Sequence, residues 1–162
     1  MSYEKEFLEK IEQHKGIIYK ISKMYMDDAE DRADLFQEII FQVWKAFPKF
    51  RGESEFSTWL YRIALNTAIV FLKSEKKRNF IGNQDFNQYK IEQDEYDLEK
   101  EEKLSKMYSA INQLNAIDKA FIFYYLEDFS GKQIAEQMGI SEGNVRVKMN
   151  RAKNKLKEIL SK

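Results

Sequence analysis

The chain has 162 residues, one proline and no cysteine, and its 27 basic and 27 acidic side chains give a net charge of zero. Without cysteine, disulfides and cysteine-based metal sites are excluded. No run approaches the roughly 18 apolar residues of a membrane span, and the charged start of the chain is unlike a signal peptide. We therefore expect a soluble, cytoplasmic protein with no membrane insertion.

Apolar residues recur at helical spacing along nearly the whole chain, with no strand-like alternation. In the first half this spacing predicts a helix ending near residue 26, a second from about 31 to Pro48, and a third over about 57–77. Ser54 or Ser57 is the predicted N-cap of the third helix. These helices make a first domain over residues 1–78.

The charges are unevenly distributed. Residues 79–103 contain 3 basic and 8 acidic side chains, whereas residues 104–162 contain 10 and 6. The polar, acidic segment 79–103 predicts a flexible linker. Helices at 104–114, 116–126, 130–138 and 141–160 complete an all-α protein of two small domains, the second over 104–162.

The C-terminal residues have the features of a helix-turn-helix. Ser130 and Gln133 fit a capping box, Gly139 supplies a left-handed residue that ends the helix, and Ser141 caps the next one. The last helix has a stripe of apolar residues, so its opposite face is polar and basic. Arginine and asparagine on such a face suit base edges in the major groove, and lysine suits phosphate. The residues predicted on or beside this face are Arg146, Val147, Lys148, Asn150, Arg151, Lys153, Asn154 and Lys155.

The first domain carries two further features. Asp34, Gln37 and Glu38 form a polar edge on the second helix that could dock a partner. In the following loop and helix, aromatic residues such as Phe50 and Phe56 alternate with cations, a pattern that suits stacking of unpaired bases. Aromatic residues at helical spacing also occur in ordinary cores, and this alternative stays open.

Four segments together resemble one family. DLFQE (34–38) with VWKAF (43–47), and FRGESEFSTWLYRIALNTA (50–68), resemble region 2 of bacterial sigma factors, while IAEQMGISEGNVRVKMNRA (134–152) resembles region 4. Their order, with only a linker between them, is similar to the extracytoplasmic-function (ECF) group of the sigma-70 family. The sequence departs from the family pattern at Asn144, where threonine is usual, and at Gly131 and Gln133.

The resemblance implies a promoter-specificity subunit that binds bacterial core RNA polymerase, recognises the −35 and −10 promoter elements and melts the −10 region. It implies contact with the clamp helices of the β′ subunit and with the β flap, and regulation by an anti-sigma factor, which could hold the protein at the inner membrane. It implies no cofactor and no metal.

The implied residue roles fall into three groups. Residues that match the clamp-helix contacts are Asp34, Gln37 and Glu38. Residues that match the −10 contacts are Phe50, Arg51, Phe56, Asn66, Lys73, Lys76, Lys77 and Arg78. Residues that match the −35 contacts are Ser141, Asn144, Arg146, Val147, Lys148, Asn150 and Arg151.

Three other functions account for less of the sequence. An enzyme is disfavoured because His14, the only histidine, has no neighbouring catalytic partner and no glycine-rich phosphate loop occurs. A helix-turn-helix regulator that binds duplex operator DNA without polymerase explains the C-terminus equally well, but leaves the first domain unexplained. A helical adaptor would leave Arg146 and Arg151 without a purpose.

Overall fold

Seven α-helices and one short 3-10 helix occur in the part of the chain that the structure, a computed structural model, describes. The backbone is described for residues 3–81 and 98–162, and the side chains for 3–74 and 105–162. No strand occurs in these ranges, and the predicted all-α class is confirmed. The chain divides into two units, Met1–Phe86 and Asn87–Lys162.

The first unit is a three-helix bundle of α1 (Tyr3–Tyr25), α2 (Ala29–Ala46) and α3 (Phe56–Ile81), in which each helix packs on the other two. The Asp28 carboxylate caps α2 by accepting a hydrogen bond from the Asp31 amide. After α2 the chain tightens into a 3-10 helix, Phe47–Lys49, because Pro48 has no amide proton to continue the α-helix.

The core of the first unit has an aliphatic centre with aromatic residues such as Phe7, Tyr25 and Phe47 around it, and the central side chains are almost fully buried. Removing such a side chain from water contributes about 1.5–3 kcal/mol, so this core fixes which face of each helix is turned outward. The side chains at its centre are Ile18, Ile21, Leu35, Ile39, Val43, Leu60, Ala64 and Ala68.

The second unit contains α4 (Leu98–Asn112), α5 (Ala116–Leu126), α6 (Gly131–Met138) and α7 (Glu142–Leu160), and α7 packs against the other three. α5 is buried along most of its length. Its two buried charged side chains have polar partners: Lys155 donates to the Asp118 carboxylate at 3.2 Å, and Lys119 donates to the Asn112 side-chain oxygen at 3.1 Å. These bonds tie α5 to its neighbours.

The helix ends differ from the prediction mainly on either side of the predicted linker. α3 continues to Ile81, and α4 begins at Leu98 rather than near 104, so helix occupies both ends of the 79–103 segment. Residues 82–97 lie outside the described part. The prediction that Ser54 or Ser57 caps α3 is wrong, because α3 begins at Phe56, immediately after Glu55.

Candidate nucleic-acid interface

The turn between α6 and α7 is fixed by hydrogen bonds at three successive helix ends. The Ser130 hydroxyl accepts from the Gln133 amide at 3.1 Å, and the Gln133 side chain accepts from the Ser130 amide at 2.9 Å, which completes the predicted capping box. Gly139 ends α6 in the left-handed conformation, with φ of 69°. The Ser141 hydroxyl then caps α7 by accepting from the Asn144 amide. These predictions are confirmed.

The two faces of α7 are as different as the sequence predicted. Val145, Met149, Ala152 and Leu156 are buried against the rest of the unit. The opposite side carries exposed side chains, which are Asn144, Arg146, Val147, Asn150, Arg151 and Asn154. Lys148 is half-buried beside them. Together these side chains form a polar, cationic surface. The buried stripe on the other side of α7 fixes the orientation of this surface.

Tyr125 lies beside this surface and was not predicted from the sequence. The Lys153 ammonium lies 3.8 Å from the centre of the Tyr125 ring, and half of the tyrosine side chain is exposed. A cation over an aromatic face is attracted by the electron density of the ring. Because the two residues are on different helices, this pairing could not be found from spacing along the chain.

In the first unit, the loop between α2 and α3 is held by an aromatic cluster. The ring centres of Phe50 and Trp59 are 4.9 Å apart, and those of Phe56 and Trp59 are 5.6 Å apart. Gly52 allows the loop to turn, with φ of 73°. Arg51 is exposed next to this cluster.

Phe56 differs in environment from the other predicted −10 residues. Its side chain is only 6% exposed, and its ring packs against His14, with ring centres 5.0 Å apart. A buried ring offers no open face for stacking with a base. His14 is half-buried, and its Nδ1 donates a hydrogen bond to the Lys10 carbonyl oxygen. The Phe56 ring thus packs against both His14 and the loop residue Phe50, whose ring centre is 5.7 Å away.

One face of α3 is exposed along three turns. Arg62, Asn66, Val70 and Lys73 follow one another at steps of three and four, and all four side chains are exposed. This face follows the aromatic loop directly along the chain. The predicted contacts Lys76, Lys77 and Arg78 continue on the backbone of α3, but their side chains lie outside the described residues.

The polar edge of α2 is present, and it includes an aromatic residue that the prediction missed. Asp34 and Gln37 are exposed, while Glu38 is half-buried and accepts a hydrogen bond from Gln42 at 2.9 Å. Phe41 lies one turn beyond Gln37 and is 53% exposed, with the Lys45 ammonium 5.4 Å from its ring centre. Its spacing from Asp34 and Gln37 was the available signal.

Other kinds of site do not appear among the described residues. They contain no group of three or more histidine, cysteine, aspartate or glutamate side chains that could hold a metal ion. None of the helices in the described ranges is both long and apolar enough to span a membrane.

Fold and surface thus define a helical protein with a DNA-binding helix-turn-helix in its second unit. Known protein families identify this class more closely. The model of sigma-70 region 2 matches residues 11–78, and the model of sigma-70 region 4 matches residues 104–156. The chain belongs to the sigma-70 family, in its extracytoplasmic-function group, and is a sigma subunit of RNA polymerase.

Individual relatives agree with this assignment. The chain is 30% identical over 161 residues to the RNA polymerase sigma-H factor of Pseudomonas aeruginosa, with 91% of this chain and 81% of that protein covered. It is 33% identical over 134 residues to the ECF RNA polymerase sigma-E factor of Haemophilus influenzae, with coverages of 76% and 71%. Its fold is similar to the sigma factor RpoE of Bartonella quintana, solved with the anti-sigma factor NepR, with a TM-score of 0.72, 21% identity, and coverages of 97% and 98%.

Proposed function

We propose that this sigma subunit divides its work between its two units. The first, over residues 1–78, binds core polymerase and the −10 element. The second, over residues 104–162, reads the −35 element, and the acidic segment 79–103 links them. The main support for the proposal is the exposed cationic face of α7. A buried apolar stripe and a capped N-terminus fix the orientation of this helix, so that the face points to solvent. Such a helix inserts its N-terminal residues into the major groove.

Direct reading of bases falls to the side chains that can bond two atoms of one base edge. Arg146 and Arg151 suit guanine, and Asn150 suits adenine. All three are exposed on α7. Lys148 supplies charge for phosphate, and Ser141 and Asn144 lie at the N-terminus of the helix, whose dipole also favours phosphate. Val147 completes the group.

Melting of the −10 region requires no nucleotide hydrolysis in this proposal, and the chain itself catalyses no reaction. Unpairing and unstacking a base costs a few kcal/mol, and a pocket that binds the extruded base offsets that cost. Phe50, Arg51 and Asn66 provide a ring, a cation and an amide on the loop and the exposed face of α3. Phe56 holds the loop, and Lys73, with Lys76, Lys77 and Arg78, supplies charge for the backbone.

The substitution Asn66→Ala tests the −10 assignment. We expect holoenzyme with this variant to bind promoter DNA but to open the −10 region poorly, because one group that holds the extruded base is lost. Permanganate reactivity of −10 thymines measures opening, and competition with wild-type protein measures core binding. Gln13→Ala, which removes an exposed amide from α1, is the matched control. Normal opening, or an equal loss of core binding, would contradict the assignment.

Regulation and location are also part of the proposed function. The RpoE relative was solved with an anti-sigma factor, and we propose that a protein of this kind holds the present chain inactive in the cytoplasm or at the inner membrane. The exposed faces of α2 and α7 would be covered in that state. Affinity purification of the tagged chain from its own cells, followed by inhibition of initiation by the co-purified protein, tests this; an unaffected initiation rate counts against it.

A further inference from the structure

Val147 is unusual among the side chains on the outward face of α7. Its side chain is 67% exposed. Val145 and Met149, two positions before and after it, face the core and are only 3% and 8% exposed. Its neighbours on the outward face, Asn150 and Arg151, are polar. Packing within the unit therefore gives no reason for an aliphatic residue at this position.

The surroundings of Val147 leave room for close approach of another molecule. Gly143 lies one turn earlier on the same face and has no side chain. A β-carbon built at Gly143 would meet only the Ser141 hydroxyl, at 3.9 Å. Valine is branched at its β-carbon and keeps one strongly preferred rotamer in a helix, so its two methyl groups are held in place before binding.

The chemistry of the major groove limits what such a side chain can recognise. Guanine, adenine and cytosine present hydrogen-bond donors and acceptors there, whereas thymine adds a methyl group. An aliphatic side chain gains nothing from a donor or acceptor, but it gains from taking a methyl group out of water. Val147 on a groove-reading helix is therefore matched to thymine.

We propose that Val147, with the open position at Gly143 beside it, recognises the 5-methyl group of a thymine in the −35 element. This rests on the proposed reading of the −35 element by α7. It makes Val147 a specificity-determining residue, which favours one base through a methyl contact, next to arginine and asparagine residues that act through hydrogen bonds.

Replacing thymine by deoxyuridine tests the proposal, because it removes only the methyl group. Holoenzyme assembled from core polymerase and the full chain is first used to select preferred −35 elements from promoter duplexes randomised in that region. Each thymine of a selected element, on either strand, is then replaced singly by deoxyuridine. Binding is measured for wild type, Val147→Ala and Leu8→Ala, the last removing a similarly exposed aliphatic side chain from α1 (63% exposed).

We expect one thymine at which deoxyuridine weakens wild-type binding about fourfold, the factor that corresponds to one methyl group returned to water. Val147→Ala should bind the thymine and deoxyuridine duplexes equally, and Leu8→Ala should behave as wild type. The proposal is overturned if no thymine responds, or if Val147→Ala retains the full response. If holoenzyme with the wild-type chain showed no preference for the selected element over a scrambled one, −35 reading by the chain would be refuted instead.

Discussion

At the scale of single residues, Gly139 determines how the helix-turn-helix turns. Its φ of 69° and ψ of 34° lie in the left-handed region, and its amide and that of Ile140 both donate to the Ala135 carbonyl oxygen. A residue with a β-carbon pays roughly 1–2 kcal/mol in this conformation. Gly139 thus sets the direction in which α7 leaves the turn and, with it, the orientation of Arg146 and Val147.

We expect Gly139→Ala to lower the free energy of unfolding of the second unit by about 1–2 kcal/mol. Gly131→Ala is the control, because Gly131 has no positive φ and a β-carbon there meets nothing within 4 Å. Circular dichroism follows all helices, whereas tryptophan fluorescence follows the first unit, since Trp44 and Trp59 both lie there. An unchanged unfolding curve for Gly139→Ala by circular dichroism would contradict the expectation.

At the scale of helices, the exposed face of α2 combines a polar part with an aromatic side chain. Asp34 and Gln37 can bond to a partner surface, and Phe41 can be buried against it. Large aromatic side chains near the middle of an interface commonly supply a large share of its binding energy. We therefore place Phe41 within the proposed polymerase-binding face, beside the residues that the sequence had already indicated.

Gln37→Ala and Phe41→Ala should each weaken the association with core polymerase, and we expect Phe41→Ala to have the larger effect, on the order of tenfold or more. Tyr19→Ala on α1 is the matched control, because Tyr19 is 52% exposed and Phe41 is 53% exposed. Fluorescence anisotropy of labelled protein titrated with core enzyme measures the affinity. A loss of similar size for Tyr19→Ala would mean that exposed aromatic residues in general, rather than this face, determine the affinity.

The helix features that the sequence predicts correctly are those set by residues close to one another along the chain. The range of α5 and the caps at Ser130, Gly139 and Ser141 were predicted correctly, because periodicity and capping depend on residues within a few positions of one another. The start of α4 was missed because residues 98–103 are mainly charged and have no apolar stripe.

Parts of the candidate site depend on contacts between helices, which spacing does not reveal. The burial of Phe56 comes partly from His14 on α1, and the position of the Lys153 ammonium depends on Tyr125 on α5. The sequence had grouped Phe56 with the base-contacting loop because aromatic residues alternate with cations there and because the segment resembles region 2. Only the packing of α1 on α3 separates a ring that supports the loop from one that can meet a base.

At the scale of the whole molecule, the net charge of zero hides an uneven distribution of charge along the sequence. Residues 138–162 contain 7 basic and 2 acidic side chains, and the acidic segment 79–103 balances them. Phosphate contacts provide affinity for any DNA, so a modest number of cations favours weak binding by the protein alone. We expect core polymerase to supply the rest of the affinity by bringing the proposed −10 and −35 contacts to one promoter.

The most direct test is addition of the purified chain to sigma-free bacterial core polymerase on a library of genomic promoter fragments. We expect a stable complex with core enzyme and run-off transcripts from a subset of fragments, while the chain without core enzyme binds the same fragments weakly. Failure to bind core polymerase would contradict the account. Tight, specific binding of duplex DNA by the chain alone, without transcription, would instead indicate a helix-turn-helix regulator.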